Sequence, residues 1–406
     1  MNNVDKQYLD IMQDIIDNGV WKNTRSGSVK SVFGRTMRFN LQEGLPLLTT
    51  KKVYTKGIIH ELLWFLSGNT NIKYLVDNNV NIWNDDAYRW FKSLNFPYLN
   101  REDPYYDDED DKMRTNVYGY YKLEHCIFDL EDDIENTYAI VINDDFENEI
   151  PTSIEELKDL TKEQFVDYVK QGAWLHRYDI YEGRNVSDRK IYVFGDLGEV
   201  YGKQWRSFGV SGKDQIQNII DTLKTNPDDR RMILTGWNPD VLDTVALPAC
   251  HIFSQFYTRE LSNQERFTWL QENSNNKYDE WKSASDETLD KLNVPKRALS
   301  LSFYCRSQDY PLGTPYNVTS YSILCYIIAN ICNMVPEELI YNGGDIHIYE
   351  NQFEGCQTQL QRKGSDKLPK FIIKRNLTDI NQINFDDFEI INYYPDDTIK
   401  FPLSVG

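Results

Sequence analysis

No apolar run in this 406-residue chain approaches the roughly 20 residues that a membrane-spanning helix requires. The first residues, Met1-Asn2-Asn3-Val4-Asp5-Lys6, lack the basic-then-apolar layout of a secretory leader. Cysteine is scarce, six in all, and the six are scattered without metal-type spacing. Neither a disulfide framework nor a metal site is therefore expected, and a reducing, cytoplasmic setting is. Positive charge is also short: 44 Lys and Arg against 63 Asp and Glu leave a net charge of −19. That balance excludes a duplex nucleic-acid binder, which needs a basic face. It also opposes any anionic substrate at long range, so the arginines that meet one must be gathered locally. What is present, 40% hydrophobic and 14% aromatic residues, is the composition of a folded protein with a large core.

The chain is organised around Asp243-Thr244-Val245-Ala246-Leu247-Pro248-Ala249-Cys250-His251-Ile252-Phe253-Ser254-Gln255-Phe256-Tyr257. A small-residue turn precedes an alternating run, so Cys250 sits where a loop feeds a strand. A buried cysteine is usually inert packing. The neighbouring stretches point elsewhere. Arg230 and Arg231 precede another apolar strand, and Leu301-Ser302-Phe303-Tyr304-Cys305-Arg306-Ser307-Gln308-Asp309 ends a strand in Arg, Ser and Asp. A turn is expected next, over Pro311-Leu312-Gly313-Thr314-Pro315-Tyr316-Asn317. Guanidinium forks suit phosphate, and a thiol near cations is pushed toward the thiolate that attacks. Nucleophile, phosphate clamp and the amide of Asn317 together suggest covalent chemistry on a nucleotide.

Other readings come from pattern. Residues 5–18 form an amphipathic helix stopped by Gly19, Lys22–Ser28 a flexible polar loop, and Ser31–Gly34 and Met37–Leu41 strands. Ile58–Leu66 is apolar nearly all round and so a buried helix. Glu61 within it is anomalous: a buried carboxylate is either paired or proton-handling. Ala139–Ile142 reads as a strand, Thr161–Val169 as a capped helix, Asp214–Leu223 and Val318–Asn333 as helices. Two glycines lead into a strand on which His347 and Tyr349 share a face. The acidic run around Tyr105–Asp111 is a solvated loop.

These motifs, in this order, resemble the thymidylate synthase family, whose pattern includes an arginine pair before an Ala-Trp-Asn strand, a Pro-Cys-His nucleophile loop, and an Arg-Ser-x-Asp-x-x-Leu-Gly-x-Pro-Phe-Asn segment. The likeness covers Tyr8–Trp83 and resumes at Gly195, with insertions at about 84–194 and 260–297. It implies an α/β (α+β mixed) fold, one catalytic domain over 1–406 around a large twisted sheet, and a back-to-back homodimer. It assigns Cys250 as the attacking thiol, with Glu61, Tyr201, Asp309 and His251 in the catalytic set. Substrate dUMP would meet Arg25, Arg306, Ser307, Gln255, Asn317, His347 and Tyr349, with Arg230 and Arg231 donated across the dimer interface. The one-carbon donor, 5,10-methylenetetrahydrofolate, would meet Lys51, Ile82, Trp83, Asp309, Leu312 and Gly313. The C-terminal residues from Ile399 would close over the site. Three departures matter: Ala249 in place of a proline before the nucleophile, Asp86 in place of a second cleft tryptophan, and a tail ending Ser404-Val405-Gly406. They keep a second product open. Hydride would yield dTMP, whereas water reaching the site would yield 5-hydroxymethyl-dUMP. A third reading is an idle nucleotide- or RNA-binding relative.

Overall fold

The computed structural model describes residues 1–24, 26–94, 138–143, 145–181, 184–273 and 285–403. The chain groups into two compact units, one holding Met1–Gly68, Gln204–Trp237 and Ala249–Gly406, the other Asn69–Lys203 and Asn238–Pro248.

The first unit is built on a six-stranded sheet. Its strands are β1 (Val20–Thr24), β2 (Gly27–Asn40), β3 (Ile233–Thr235), β4 (His251–Glu260), β5 (Arg297–Asp309) and β6 (Val335–Tyr349). They lie in the order β1-β2-β6-β5-β4-β3. Only β5 and β6 run parallel among these neighbours, the other four pairings being antiparallel. This is the mixed α/β architecture that the resemblance implied. Lys22–Thr24 belong to a strand, not to the expected loop. All five residues of β1 are exposed, so an edge strand paired through its backbone offers no in-out alternation to read.

Three helices, α1 (Asn3–Asn18), α2 (Thr55–Ser67) and α3 (Tyr310–Ile331), carry apolar faces into the same core. In α1 that face is Tyr8, Met12 and Ile15. Asn2 caps it by accepting from the Asp5 amide, and the Gly19 N–H donates to Ile15. Asp5 is itself buried. Its carboxylate accepts the backbone and hydroxyl hydrogens of both Thr49 and Thr50, at 2.5–3.2 Å. The irregular loop ahead of Lys51 is thereby fixed to α1.

Helix α3 begins eight residues before the expected Val318 and swallows the expected turn. Pro311 stands in its first turn, where an N–H would have no helical acceptor anyway. Pro315 is the harder case, because it removes the bond to the carbonyl four residues back, that of Pro311. The Lys51 ammonium supplies the missing donor, with Nζ 2.5 Å from Pro311 O. The helix continues because a side chain replaces the lost amide.

The second unit has a four-stranded antiparallel sheet, ordered Asp145–Thr152, Tyr138–Ile142, Trp174–Tyr181, Arg184–Val193. Helix Asn84–Ser93 and helix Lys162–Lys170 pack on it through an aromatic cluster of Phe91, Phe165, Tyr192 and Phe194. The expected cap is present: Thr161 accepts from the Gln164 amide while Gln164 accepts from Thr161 N–H. The acidic run lies outside the described residues, as do Arg25 and Ser404–Gly406. The 260–297 segment forms helix Asn263–Asn273 and helix Asp286–Lys291 around buried Arg266, whose guanidinium donates to Asp286 and Asp290.

Candidate active site

Cys250 stands half-buried at the mouth of β4. His251 pairs with Cys305 and Phe253 with Tyr304, so Ile252 is the extra residue of a bulge beside the thiol. Bulges re-aim neighbouring side chains. The loop is clamped by Arg306, whose backbone N–H donates to Cys250 O and whose Nε donates to Ala249 O, both at 2.8 Å. The guanidinium also lies over the Trp237 ring, 5.3 Å from its centroid. Gly344 on β6 permits this strand arrangement: a Cβ there would lie 2.8 Å from Arg306 O and 2.6 Å from the Tyr304 hydroxyl.

His251 is buried, its Nδ1 2.8 Å from the Tyr321 hydroxyl and its ring edge-on to Tyr321. Burial pulls its pKa down to about 3, so it is a neutral imidazole at pH 7. Its ring also meets Phe65 of α2 at 5.9 Å. Glu61 lies one turn before Phe65 on the same helix face. In the otherwise buried stretch Gly57–Leu66 Glu61 is half-exposed, which corrects the expectation that it is sealed in. Its carboxylate is near Tyr316 of α3, whose phenol is pushed up first by burial and then by that charge.

The N-terminus of α3 carries a second cluster. Asp309 caps the helix by accepting from Leu312 N–H at 3.2 Å, and its other oxygen accepts from Gln352 at 2.9 Å. Burial pushes the Asp309 carboxyl up, against the pull of Gln352, Leu312, His347 and Lys51. Asn317, two turns on, donates Nδ2 to Gln308 Oε1 at 3.0 Å. Register between parallel strands sets Ser307 opposite Asp345 and Asp309 opposite His347. His347 stands edge-on to Tyr349, rings 5.2 Å apart, and its Nδ1 is 3.5 Å from Asp345. The expected shared face is there.

A family model described as thymidylate synthase matches residues 6–405. The chain belongs to the thymidylate synthase family. It is 34% identical over 399 residues to the thymidylate synthase of Aster yellows witches'-broom phytoplasma (strain AYWB), spanning 98% of this chain and 99% of that protein. It is 32% identical over 401 residues to that of Mycoplasma pneumoniae, spanning 98% and 100%. To that of Coxiella burnetii (strain RSA 493 / Nine Mile phase I) it is 33% identical over 404 residues, again 98% and 100%.

The remaining residues of the thymidylate synthase pattern are spread more widely. Lys51 is buried, bonded to Pro311 and 4.4 Å from the Phe401 ring centroid, with its pKa lowered to about 8 by that burial. Arg230 and Arg231 are exposed, and Arg231 makes a two-pronged pair with Asp229. Gln255 donates to Arg230 O at 3.0 Å. In the second unit Trp83 is buried with its ring edge-on to Tyr201, centroids 6.1 Å apart, and Ile82 is half-buried beside it in sequence. Asp86 pairs with Arg89. Pattern reading missed Gln308, Gln352 and Trp237. Gln352 links Asp309 to Pro402 O, and Phe401 is buried against Gly355, so the C-terminal segment is anchored. Among the described residues no group of His, Cys, Asp and Glu is arranged to hold a metal. None of their helices is long and apolar enough to cross a membrane.

Proposed function

We propose that this chain converts dUMP to dTMP, with Cys250 as a transient covalent nucleophile. The observation that carries this reading is the pair of hydrogen bonds from Arg306 to the carbonyls of Ala249 and Cys250, which ties the arginine to the loop that bears the thiol. Sulfur attack at carbon 6 of the pyrimidine sends the ring's electron pair toward O4 and makes carbon 5 a nucleophile. The sulfur bond breaks again once carbon 5 has gained its substituent and lost its proton. Arg306 and Ser307, with Arg25, hold the phosphate. His347 and Tyr349 meet the sugar hydroxyl. Asn317 reads the base, Glu61 and Tyr201 move its protons, and neutral His251 keeps that corner in shape through Tyr321.

The one-carbon unit and the hydride come from 5,10-methylenetetrahydrofolate. The chemistry of Asp309 fits such a partner. A carboxylate has about four lone-pair positions, and the two bonds from Leu312 and Gln352 leave acceptor capacity for the N–H edge of a pterin. Ile82, Trp83, Leu312 and Gly313 supply its apolar contacts, while Lys51, buried and bonded to Pro311 O, braces the helix that carries Leu312 and Gly313 rather than meeting the acidic tail. The relatives' shared name favours dTMP over the hydroxymethyl product. A homodimer, with Arg230 and Arg231 crossing to the partner's phosphate, is supported by exposed Phe33, Phe253 and Tyr257 on the sheet. A cytoplasmic location follows from the substrates.

The test is incubation with dUMP and 5,10-methylenetetrahydrofolate, read by product mass and by dihydrofolate absorbance. The mass of dTMP together with dihydrofolate is expected. A product heavier by one oxygen without dihydrofolate would instead identify the hydroxymethylase, and no turnover a binding protein. Cys250→Ser should abolish product while leaving the melting temperature unchanged; parent-level turnover would end the covalent reading.

A further inference from the structure

We propose that Gln308 is a positioning residue that sets the Asn317 amide for uracil and against cytosine. The proposal rests on the reading that Asn317 meets the base. A carboxamide has one donating and one accepting end of nearly equal shape. Uracil presents N3–H and the O4 acceptor; cytosine presents an N3 acceptor and an amino donor. A half-turn of the Asn317 amide therefore converts a match for one base into a match for the other. Asparagine discriminates only if something opposes that rotation.

Gln308 supplies the opposition. It is 4% exposed, and its Oε1 accepts from Asn317 Nδ2 at 3.0 Å. Its own amide is oriented by an atom that can only accept: Nε2 faces the backbone carbonyl of Asp309 at 3.5 Å. A fixed carbonyl thus orients one amide, and that amide orients the next. Rotating Asn317 alone would set its Oδ1 against the oxygen of buried Gln308. Rotating both would set Gln308 Oε1 against Asp309 O. Gly313 makes the room, since a Cβ there would fall 2.0 Å from Gln308 Nε2. Among the described residues, the second Nδ2 hydrogen meets only the weakly accepting Cys305 sulfur, at 3.9 Å. It stays available to O4, and Oδ1 to N3–H.

The experiment measures dissociation constants of dUMP and dCMP for the full chain and for Gln308→Leu, Gln308→Glu and Asn317→Asp. Gln308→Leu should lower the dCMP-to-dUMP ratio of dissociation constants on the order of tenfold, the equivalent of about 1.4 kcal/mol. Gln308→Glu keeps an acceptor for Nδ2 and, as the neutral acid, an O–H toward Asp309 O, so it should hold the ratio within about twofold at a pH low enough to protonate it. An unchanged ratio in Gln308→Leu, or equal weakening of both nucleotides, would overturn the proposal. Gln308→Met, longer and closer in volume, takes its place should the leucine variant not fold. Asn317→Asp separates the two layers: if it does not shift preference toward dCMP, the assignment of Asn317 itself falls. A shift there with no effect at Gln308 removes only the role of Gln308.

Discussion

His251 follows Cys250 directly, yet its contribution at neutral pH is shape rather than charge. An imidazole with a pKa near 3 in the folded chain and about 6.5 in the unfolded one binds its proton only after unfolding, over the window between those values. Stability contributed by the neutral ring is therefore complete above pH 6.5 and is lost as pH falls. Between pH 7 and pH 5 the loss is about 2 kcal/mol. In His251→Gln, which cannot titrate, denaturant unfolding should show a pH 7-to-5 decline smaller by about that amount. An identical decline in both proteins would mean that the ring is protonated in the folded state. The same residue scale explains Lys51: a buried ammonium is kept because Pro315 leaves a carbonyl in need of a donor. Neither partner makes sense without the other.

At the scale of elements, what pattern could reveal was what lies on a periodic surface. Helix α1 and strands β2 and β4 set core against solvent positions, helix α2 is apolar nearly all round, and their residues announce it. Strand β1 does not, being exposed throughout, and the start of α3 does not, because two prolines there mimic a turn. That second failure hid part of the site. Gln308 and Asn317 are nine positions apart and meet only because the chain between them is helical. Cys250 and Arg306 were legible for a different reason, each belonging to a short chemical motif that does not depend on the intervening fold. The C-terminal segment is an element whose anchoring can be tested. A Cβ on Gly355 would lie 2.6 Å from the Phe401 ring, so Gly355→Ala must shift that side chain. Because exclusion of water decides the fate of the substituted base, Gly355→Ala should produce less dTMP and more 5-hydroxymethyl-dUMP than the parent. Mass analysis of the products reads the ratio, and a ratio equal to the parent's would detach the tail from that choice.

At the scale of the whole molecule, the net charge of −19 opposes the approach of a dianionic nucleotide, while on the proposed reading Arg306 and its neighbours attract it at contact. The two effects act over different distances, and salt separates them. Raising ionic strength from about 0.01 M to about 0.1 M shortens the screening length from about 30 Å to about 10 Å. Repulsion from distant carboxylates is then largely removed, while a guanidinium against a phosphate is barely screened. The second-order rate constant kcat/KM for dUMP should accordingly rise over that range, by about twofold or more. Toward 1 M the screening length falls to about 3 Å and the contact pairs weaken as well, so the rate should decline again. Binding of deoxyuridine, which has the base but no phosphate, should change little across the series. A rate that only falls with salt would show that the arginines govern approach as well as contact, and that the acidic surface does not reach the entrance.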